Sequence, residues 1–279
     1  MTDHQQNQQP ERDTSNEVPL KDGTPRASQR TSQANSDDTS RRTVNVVLQG
    51  KGGIGKTVVA SLIAQCLRER SEPVVCIDTD PVNSSFAAIK ALGAEPVRIL
   101  AGDRINVPAL NGLAERILTE DAHFVIDGGA ASFLPLTEYL IEAQIFDLLA
   151  SSRRVVVHMP VIGGRNFLHS VAALTRAAKT IPAAVEIAPW FNGYFGPLAT
   201  SDGVPLEETE LYVELSGRLS PAIRLPQLHP DYAGAEFARM LDANRTFAEA
   251  RDDQATGMIP RMWLEQTWAK INAEISVVL

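Results

Sequence analysis

The segment Leu48-Gln49-Gly50-Lys51-Gly52-Gly53-Ile54-Gly55-Lys56-Thr57 constrains the fold of this chain more than any other. Before it runs Val44-Asn45-Val46-Val47, with the apolar, β-branched character of a strand buried on both faces. After it, Val59, Leu62, Ile63, Cys66 and Leu67 recur at helical spacing. A strand, a tight glycine turn and a helix in that order match G-x-x-x-x-G-K-[ST], with Gly50, Gly55, Lys56 and Thr57 in the fixed positions. Side chains on a tight loop would block a polyphosphate, whereas glycines allow positive φ and let backbone N–H groups converge on an anion. The helix start near Gly55 adds unpaired N–H groups and the positive end of its dipole. Gly50, Lys51, Gly52, Gly53, Ile54, Gly55, Lys56, Thr57 and Val58 form the expected cofactor-binding loop. Lys56 is expected on the β- and γ-phosphates and the Thr57 hydroxyl on Mg²⁺.

Two further apolar runs end in acids. Pro73-Val74-Val75-Cys76-Ile77 leads to Asp78 and Asp80, and Ala122-His123-Phe124-Val125-Ile126 leads to Asp127. Carboxylates at the C-terminal ends of parallel strands lie where open α/β sheets bind ligands. Asp127 reads as the acid that holds Mg²⁺ through water. Asp78 and Asp80 admit a second reading, as caps of the following helix. Gly128-Gly129 after Asp127 would let two N–H groups approach a γ-phosphate. His123 reads as a surface or strand-edge residue.

The pattern continues with a short strand near residues 97–100, a turn at Gly102-Asp103 and a helix from about Pro108. A strand over 153–160 leads through Gly163-Gly164 to an amphipathic helix near 165–179. A strand over 184–192 contains Pro189, which suggests an edge or a bulge. Strands alternating with helices predict a doubly wound α/β domain, with a mostly parallel sheet and helices on both faces. That domain is expected over 43–279, including the C-terminal helices, after a polar arm over 1–42 too poor in large apolar residues to fold alone. Helix predominates from Asp231, with a stop at Gly257, and the last helix carries Leu264, Trp268, Ile271, Ile275 and Val278. Arg261, Glu265, Lys270 and Glu274 leave that helix neutral, a poor match to anionic lipid, so its apolar stripe is expected to pack on protein.

Composition narrows the setting. The net charge of −8 argues against strong DNA binding by the whole chain. Arg153, Arg154, Arg165, Arg176 and Lys179 are the candidates for a local basic surface and a weak DNA contact. Cys66 and Cys76 lack C-x-x-C spacing and read as small core residues of a reducing compartment. No apolar run reaches transmembrane length and the N-terminus is polar, so the cytoplasm is the expected location.

The wording K-G-G-I-G-K-T resembles the deviant Walker A box of the ParA/MinD class of ATPases. The resemblance implies ATP and Mg²⁺ as cofactors, slow hydrolysis and an ATP-dependent homodimer. It implies that Lys51 crosses to the partner's phosphates, although a solvated loop lysine is the simpler alternative. Asp80 would orient the attacking water, with Lys51 and Lys56 stabilising the developing charge, and Asp78 would lie near the magnesium shell. Asn192 would meet the adenine edge, or else cap the turn at Gly193, and Leu225-Pro226 would take the place of the I-P pair beside the base. The chain departs from the class where Asp80-Pro81-Val82-Asn83 replaces D-P-Q-G-N and where Gly128-Gly129-Ala130 follows Asp127. Within the class, I-D-T-D-P-V-N, Ser132-Phe133-Leu134-Pro135-Leu136 and the segment Trp190 to Pro197 are similar to the TraL family of conjugative plasmids. That similarity implies an accessory ATPase in plasmid DNA transfer, with partners in a conjugation apparatus. A partition or positioning ATPase, or a nucleotide-gated scaffold that does not hydrolyse, would use the same nucleotide residues.

Overall fold

The computed structural model describes residues 42–80, 84–102 and 104–279. The polar arm, apart from Arg42, lies outside the described residues, as do Pro81, Val82, Asn83 and Asp103. The strands are β1 (Thr43–Val47), β2 (Val74–Asp78), β3 (Glu95–Pro96), β4 (Leu100–Ala101), β5 (Arg104–Ile105), β6 (His123–Asp127), β7 (Arg154–Ile162), β8 (Glu186–Asn192) and β9 (Ile223–Arg224). The helices are α1 (Lys56–Glu69), α2 (Ser85–Ala88), α3 (Val107–Thr119), α4 (Phe133–Glu142), α5 (Ile145–Ala150), α6 (Phe167–Thr180), α7 (Glu210–Leu215), α8 (Ala233–Asp242), α9 (Phe247–Asp252) and α10 (Met258–Ile275).

Seven strands form one parallel sheet in the order β3-β2-β6-β1-β7-β8-β9. The central strands are sheathed on both faces, which is why they read as continuous apolar runs. Val44 and Val46 face a core with Leu110, Leu113 and Ile117 of α3, Leu136 of α4 and Leu174 of α6. Val47, Val125 and Val156 face the other core, with Leu62 and Ile63 of α1 and Leu264, Trp268, Ile271 and Ile275 of α10. Each large side chain buried in this way contributes roughly 1.5–3 kcal/mol. The stripe on α10 thus packs against the domain, as its neutral polar face suggested. Trp268 also donates its indole N–H to Glu69 of α1 at 2.6 Å.

One polar chain crosses this second core. Trp190 Nε1–H donates to His158 Nδ1 at 2.9 Å, so His158 Nε2 carries the proton and donates to Asn45 Oδ1 at 3.1 Å. Asn45 in turn donates to Thr43 Oγ1 at 2.9 Å. Complete burial holds His158 neutral, with its pKa pushed down to about 3. Three neighbouring strands are pinned in register by groups that a one-residue slip would leave unpaired.

Several expectations change in detail. The strand near 97–100 is broken: Glu95–Pro96 joins the sheet, while Leu100–Ala101 pairs with Arg104–Ile105 in a separate hairpin. His123 is buried rather than superficial, because its Nδ1 accepts from Thr43 N–H at 3.0 Å where β6 enters the sheet. Pro189 lies just before the two residues of β8 that β9 covers, Trp190 and Phe191, so its missing N–H falls at the end of a short ladder. The basic set is largely occupied: Arg153 donates to Glu120 O at 2.7 Å, Arg154 pairs with Glu186 at 2.7 Å and Arg176 with Glu138 at 2.9 Å. Among the described residues no helix is long and apolar enough to cross a membrane.

Candidate functional site

β1, β2, β6 and β8 all deliver their C-terminal residues to one edge of the sheet, where a cleft of about 1060 Å³ opens. Gln49 anchors the loop after β1. It is buried, its Oε1 accepts from Gly50 N–H at 2.9 Å, and its Nε2 donates to Pro160 O at 3.0 Å. Gly53 and Gly55 take φ of +72° and +96°, where a side chain would strain the backbone. The Phe133 ring lies against Gly50, at 3.0 Å from where a Cβ would sit. α1 then starts at Lys56, aimed at the space the loop encloses.

Lys56 is buried, and its ammonium donates to the loop carbonyl of Lys51 at 3.1 Å. Burial lowers its pKa, against the pull of Asp127 and Asp80. Lys51 is exposed and lies outside the cleft lining, unlike Gly52, Gly53, Gly55, Thr57 and Val58. Ile54 points the other way, fully buried.

Thr57 Oγ1 donates to Asp127 Oδ2 at 2.6 Å and lies 2.8 Å from Ser85 Oγ. The other carboxylate oxygen, Asp127 Oδ1, is buried without a hydrogen-bond partner among the described residues. Burial pushes the Asp127 pKa up to about 7; the Thr57 hydrogen bond and Lys56 oppose this, and Asp78 and Asp80 add to it. A buried, unpartnered carboxylate oxygen beside a hydroxyl suits a hard cation that completes its shell with phosphate oxygens and water. Among the described residues no group of three or more His, Cys, Asp and Glu side chains could hold a metal alone. Such a site therefore depends on its ligand for the remaining oxygens.

Asp78 and Asp80 occupy different environments. Asp78 Oδ2 accepts from Phe86 and Ala87 N–H at 3.0 and 2.9 Å, and its Oδ1 accepts from Asp80 N–H at 3.0 Å. The Asp78 carboxylate thus caps α2 and ties down the chain that follows β2. Asp80 lines the cleft and packs on Gly129, where an added Cβ would sit 3.1 Å from Asp80 Cα. The two adjacent glycines are not equivalent. Gly128 N–H donates to Val47 O at 3.0 Å, so only Gly129 keeps an N–H outside the sheet ladder. A Cβ on Gly128 would meet Leu48 and the Val47 carbonyl at 2.8 Å.

Asn192, Leu225 and Pro226 line the other end of the cleft. Asn192 Oδ1 accepts from Tyr194 N–H at 3.1 Å, capping the turn, while its Nδ2 lies 3.3 Å from the Cβ position of Gly55. Leu225 N–H donates to Phe191 O at 3.0 Å. Four contributors escaped sequence reading: Gln49 as the loop anchor, Ser85 beside Thr57, Phe133 under Gly50 and Gln227 at the rim. Only Gln49 and Ser85 carried a signal, being polar residues next to the loop and the carboxylate strand.

A parallel sheet with a phosphate-type loop and a Thr–Asp pair at its carboxyl edge defines the P-loop class. A family profile described as "CobQ/CobB/MinD/ParA nucleotide binding domain" matches residues 45–264. Two curated relatives from Escherichia coli, both called Protein TraL, are each 37% identical, over 233 and 223 residues. These alignments cover 83% and 80% of this chain and 96% and 92% of the relatives. The solved MinD cell division protein of Aquifex aeolicus shares the fold, with a TM-score of 0.50 at 13% identity over 84% of this chain and 96% of that one. The chain belongs to the CobQ/CobB/MinD/ParA family of nucleotide-binding domains and, within it, to the family of the TraL proteins.

Proposed function

We propose that this protein binds ATP with Mg²⁺, hydrolyses it slowly and uses the bound state to hold a homodimer, as an accessory of conjugative plasmid transfer. The observation that carries the reading is the pair of half-buried Thr57 and buried Asp127, with a carboxylate oxygen unpartnered among the described residues, set under a loop of glycine amides. Thr57 and Asp127 would hold Mg²⁺, which supplies positive charge against the β- and γ-phosphates. Lys56 would exchange the Lys51 carbonyl for phosphate oxygens, a stronger charge-assisted hydrogen bond. Asp80 would hold the attacking water for in-line displacement, with Gly129 N–H turned to the γ-phosphate. Asp78 would act by fixing the Asp80 backbone. Lys51, exposed beside its own cleft, is free to reach a second copy's phosphates. Within the candidate basic set, Arg154 and Arg176 are ion-paired, which leaves Arg165 and Lys179 as the exposed cations on which a partition reading would rest.

Calorimetry with MgATP tests the binding step, and the absence of any heat of association would end this reading. Phosphate release should fall in Asp80→Ala, whereas equal negligible rates in both proteins would leave a nucleotide-gated scaffold. Light scattering should show an ATP-dependent dimer that Lys51→Ala loses. A monomer under every condition would remove the dimer.

A further inference from the structure

We infer that Ser85 is a second protein ligand of the cation in this cleft, paired with Thr57. The inference rests on the reading of the site as one for a nucleotide with Mg²⁺. Thr57 Oγ1 and Ser85 Oγ lie 2.8 Å apart, and both residues line the cleft. Thr57 has one hydroxyl proton and gives it to Asp127 Oδ2, so the contact with Ser85 is made with the proton of Ser85. Among the described residues this is the one hydrogen bond of Ser85 Oγ, and its lone pairs stay unclaimed. Mg²⁺ holds oxygens at about 2.0–2.1 Å in an octahedron, which sets neighbouring ligands about 2.9 Å apart. The two hydroxyls therefore already stand at the spacing of adjacent corners. A cation can take the place of the proton between them, and that proton then turns to a phosphate oxygen or water. Ser85 is held there from behind. It opens α2, where buried Asp78 accepts from the next two N–H groups at 3.0 and 2.9 Å and the Phe86 side chain is fully buried. Such support behind a ligand fixes its orientation before the metal arrives. Asp127 Oδ1, unpartnered among the described residues, belongs to the carboxylate that Thr57 already holds, so negative charge stands beside the two hydroxyls. Two hydroxyls and a carboxylate are hard donors, suited to Mg²⁺ rather than to a soft metal. A serine that only braced Thr57 would make the same contact but would not influence which metal binds.

Titration of the full chain with a fluorescent, non-hydrolysable ATP analogue in EDTA, Mg²⁺ or Cd²⁺ tests this. In the wild type Mg²⁺ should tighten binding over the EDTA titration. Ser85→Ala should lose about tenfold of that gain, the scale on which disturbed metal sites lose affinity, and leave the EDTA titration unchanged. Ser85→Cys should lose the gain with Mg²⁺ and regain it with Cd²⁺, a softer cation that accepts sulfur, where Ser85→Ala stays weak. A full Mg²⁺ gain in Ser85→Ala, or a loss equal with and without metal, would overturn the inference while leaving the nucleotide reading intact. Absence of the Cd²⁺ recovery in Ser85→Cys would do the same. A wild type that binds the analogue equally in EDTA and Mg²⁺ would overturn the inference and the magnesium reading together. Failure of the wild type to bind the analogue at all would overturn the nucleotide reading as well.

Discussion

The two ends of the cleft are built on opposite principles. The phosphate end is continuous in sequence, polar, buried and electrostatically uncomfortable. Among the described residues, Asp127 has one oxygen without a hydrogen-bond partner, and Lys56 is desolvated with only a loop carbonyl as hydrogen-bond acceptor. The base end is assembled from distant segments, is mostly apolar, and keeps its amides half-buried or exposed. An empty phosphate end costs stability that its ligand restores, whereas an empty base end costs little. Pre-organisation for charge is therefore concentrated where catalysis is proposed.

The largest expected effect tests that cost directly. The Asp127 pKa is raised from the ordinary value of 3.8 to about 7, so between those pH values the folded state holds a proton that the unfolded state has released. Stability should therefore fall as pH rises from about 4 to about 7 and level off above, by on the order of 4 kcal/mol from this group. Urea unfolding without metal should show Asp127→Asn lacking that fall, and the more stable of the two proteins at pH 8. Wild-type and variant curves that stay parallel across the window would show no stored cost at this end. Next in size is Lys56→Ala, which removes a charge-assisted contact of about 3 kcal/mol and should weaken MgATP binding about a hundredfold. Fluorescence titration checks it, and a loss under fivefold would break the contrast between the two ends.

The same contrast explains what sequence could and could not reveal. The phosphate end was legible because its chemistry needs fixed residue types in one short run: the glycines at positive φ, Lys56 and Thr57 follow from the turn alone. β2 and β6 were legible as apolar runs that end in Asp78 and Asp127, whereas their order in the sheet was not. The base end was not legible from spacing, since Asn192, Leu225 and Gln227 meet only through the β8 and β9 crossover. Asn192 illustrates the limit, because its donor and acceptor are both visible in the residue type, yet the hydrogen bond by which one lone pair of its oxygen holds the turn at Tyr194 is not. Gly128 and Gly129 looked alike as a pair, but the packing of Leu48 on one and Asp80 on the other separates them. The break between β3 and β4 was likewise hidden, because Ile99 is buried between the two short strands and reads as strand in both.

A smaller effect sits where the segments that follow β2 and β6 touch. A Cβ at residue 129 would come within 3.1 Å of Asp80 Cα and 3.3 Å of its Cγ, so Gly129→Ala should displace Asp80 by a few tenths of an ångström. Turnover should drop about tenfold while nucleotide affinity holds, because water placement is far more sensitive to geometry than phosphate binding. In an Asp80→Ala background the same substitution should cost nothing further, since both act through one carboxylate. Phosphate release from the four proteins measures this. An additive loss would assign Gly129 a role apart from Asp80.

The smallest effect belongs to the base end. Leu225 is half-buried in the cleft wall, and its backbone, rather than its side chain, is tied to Phe191. Leu225→Ala removes apolar surface that water already partly reaches, without leaving a polar group unpaired. It should weaken MgATP about threefold, which corresponds to under 1 kcal/mol of apolar contact. The thermal midpoint should shift by only a few degrees. A titration in which Leu225→Ala matched Lys56→Ala would mean that the base, not the phosphates, anchors the ligand. The electrostatic cost stored around Asp127 would then need a purpose other than binding.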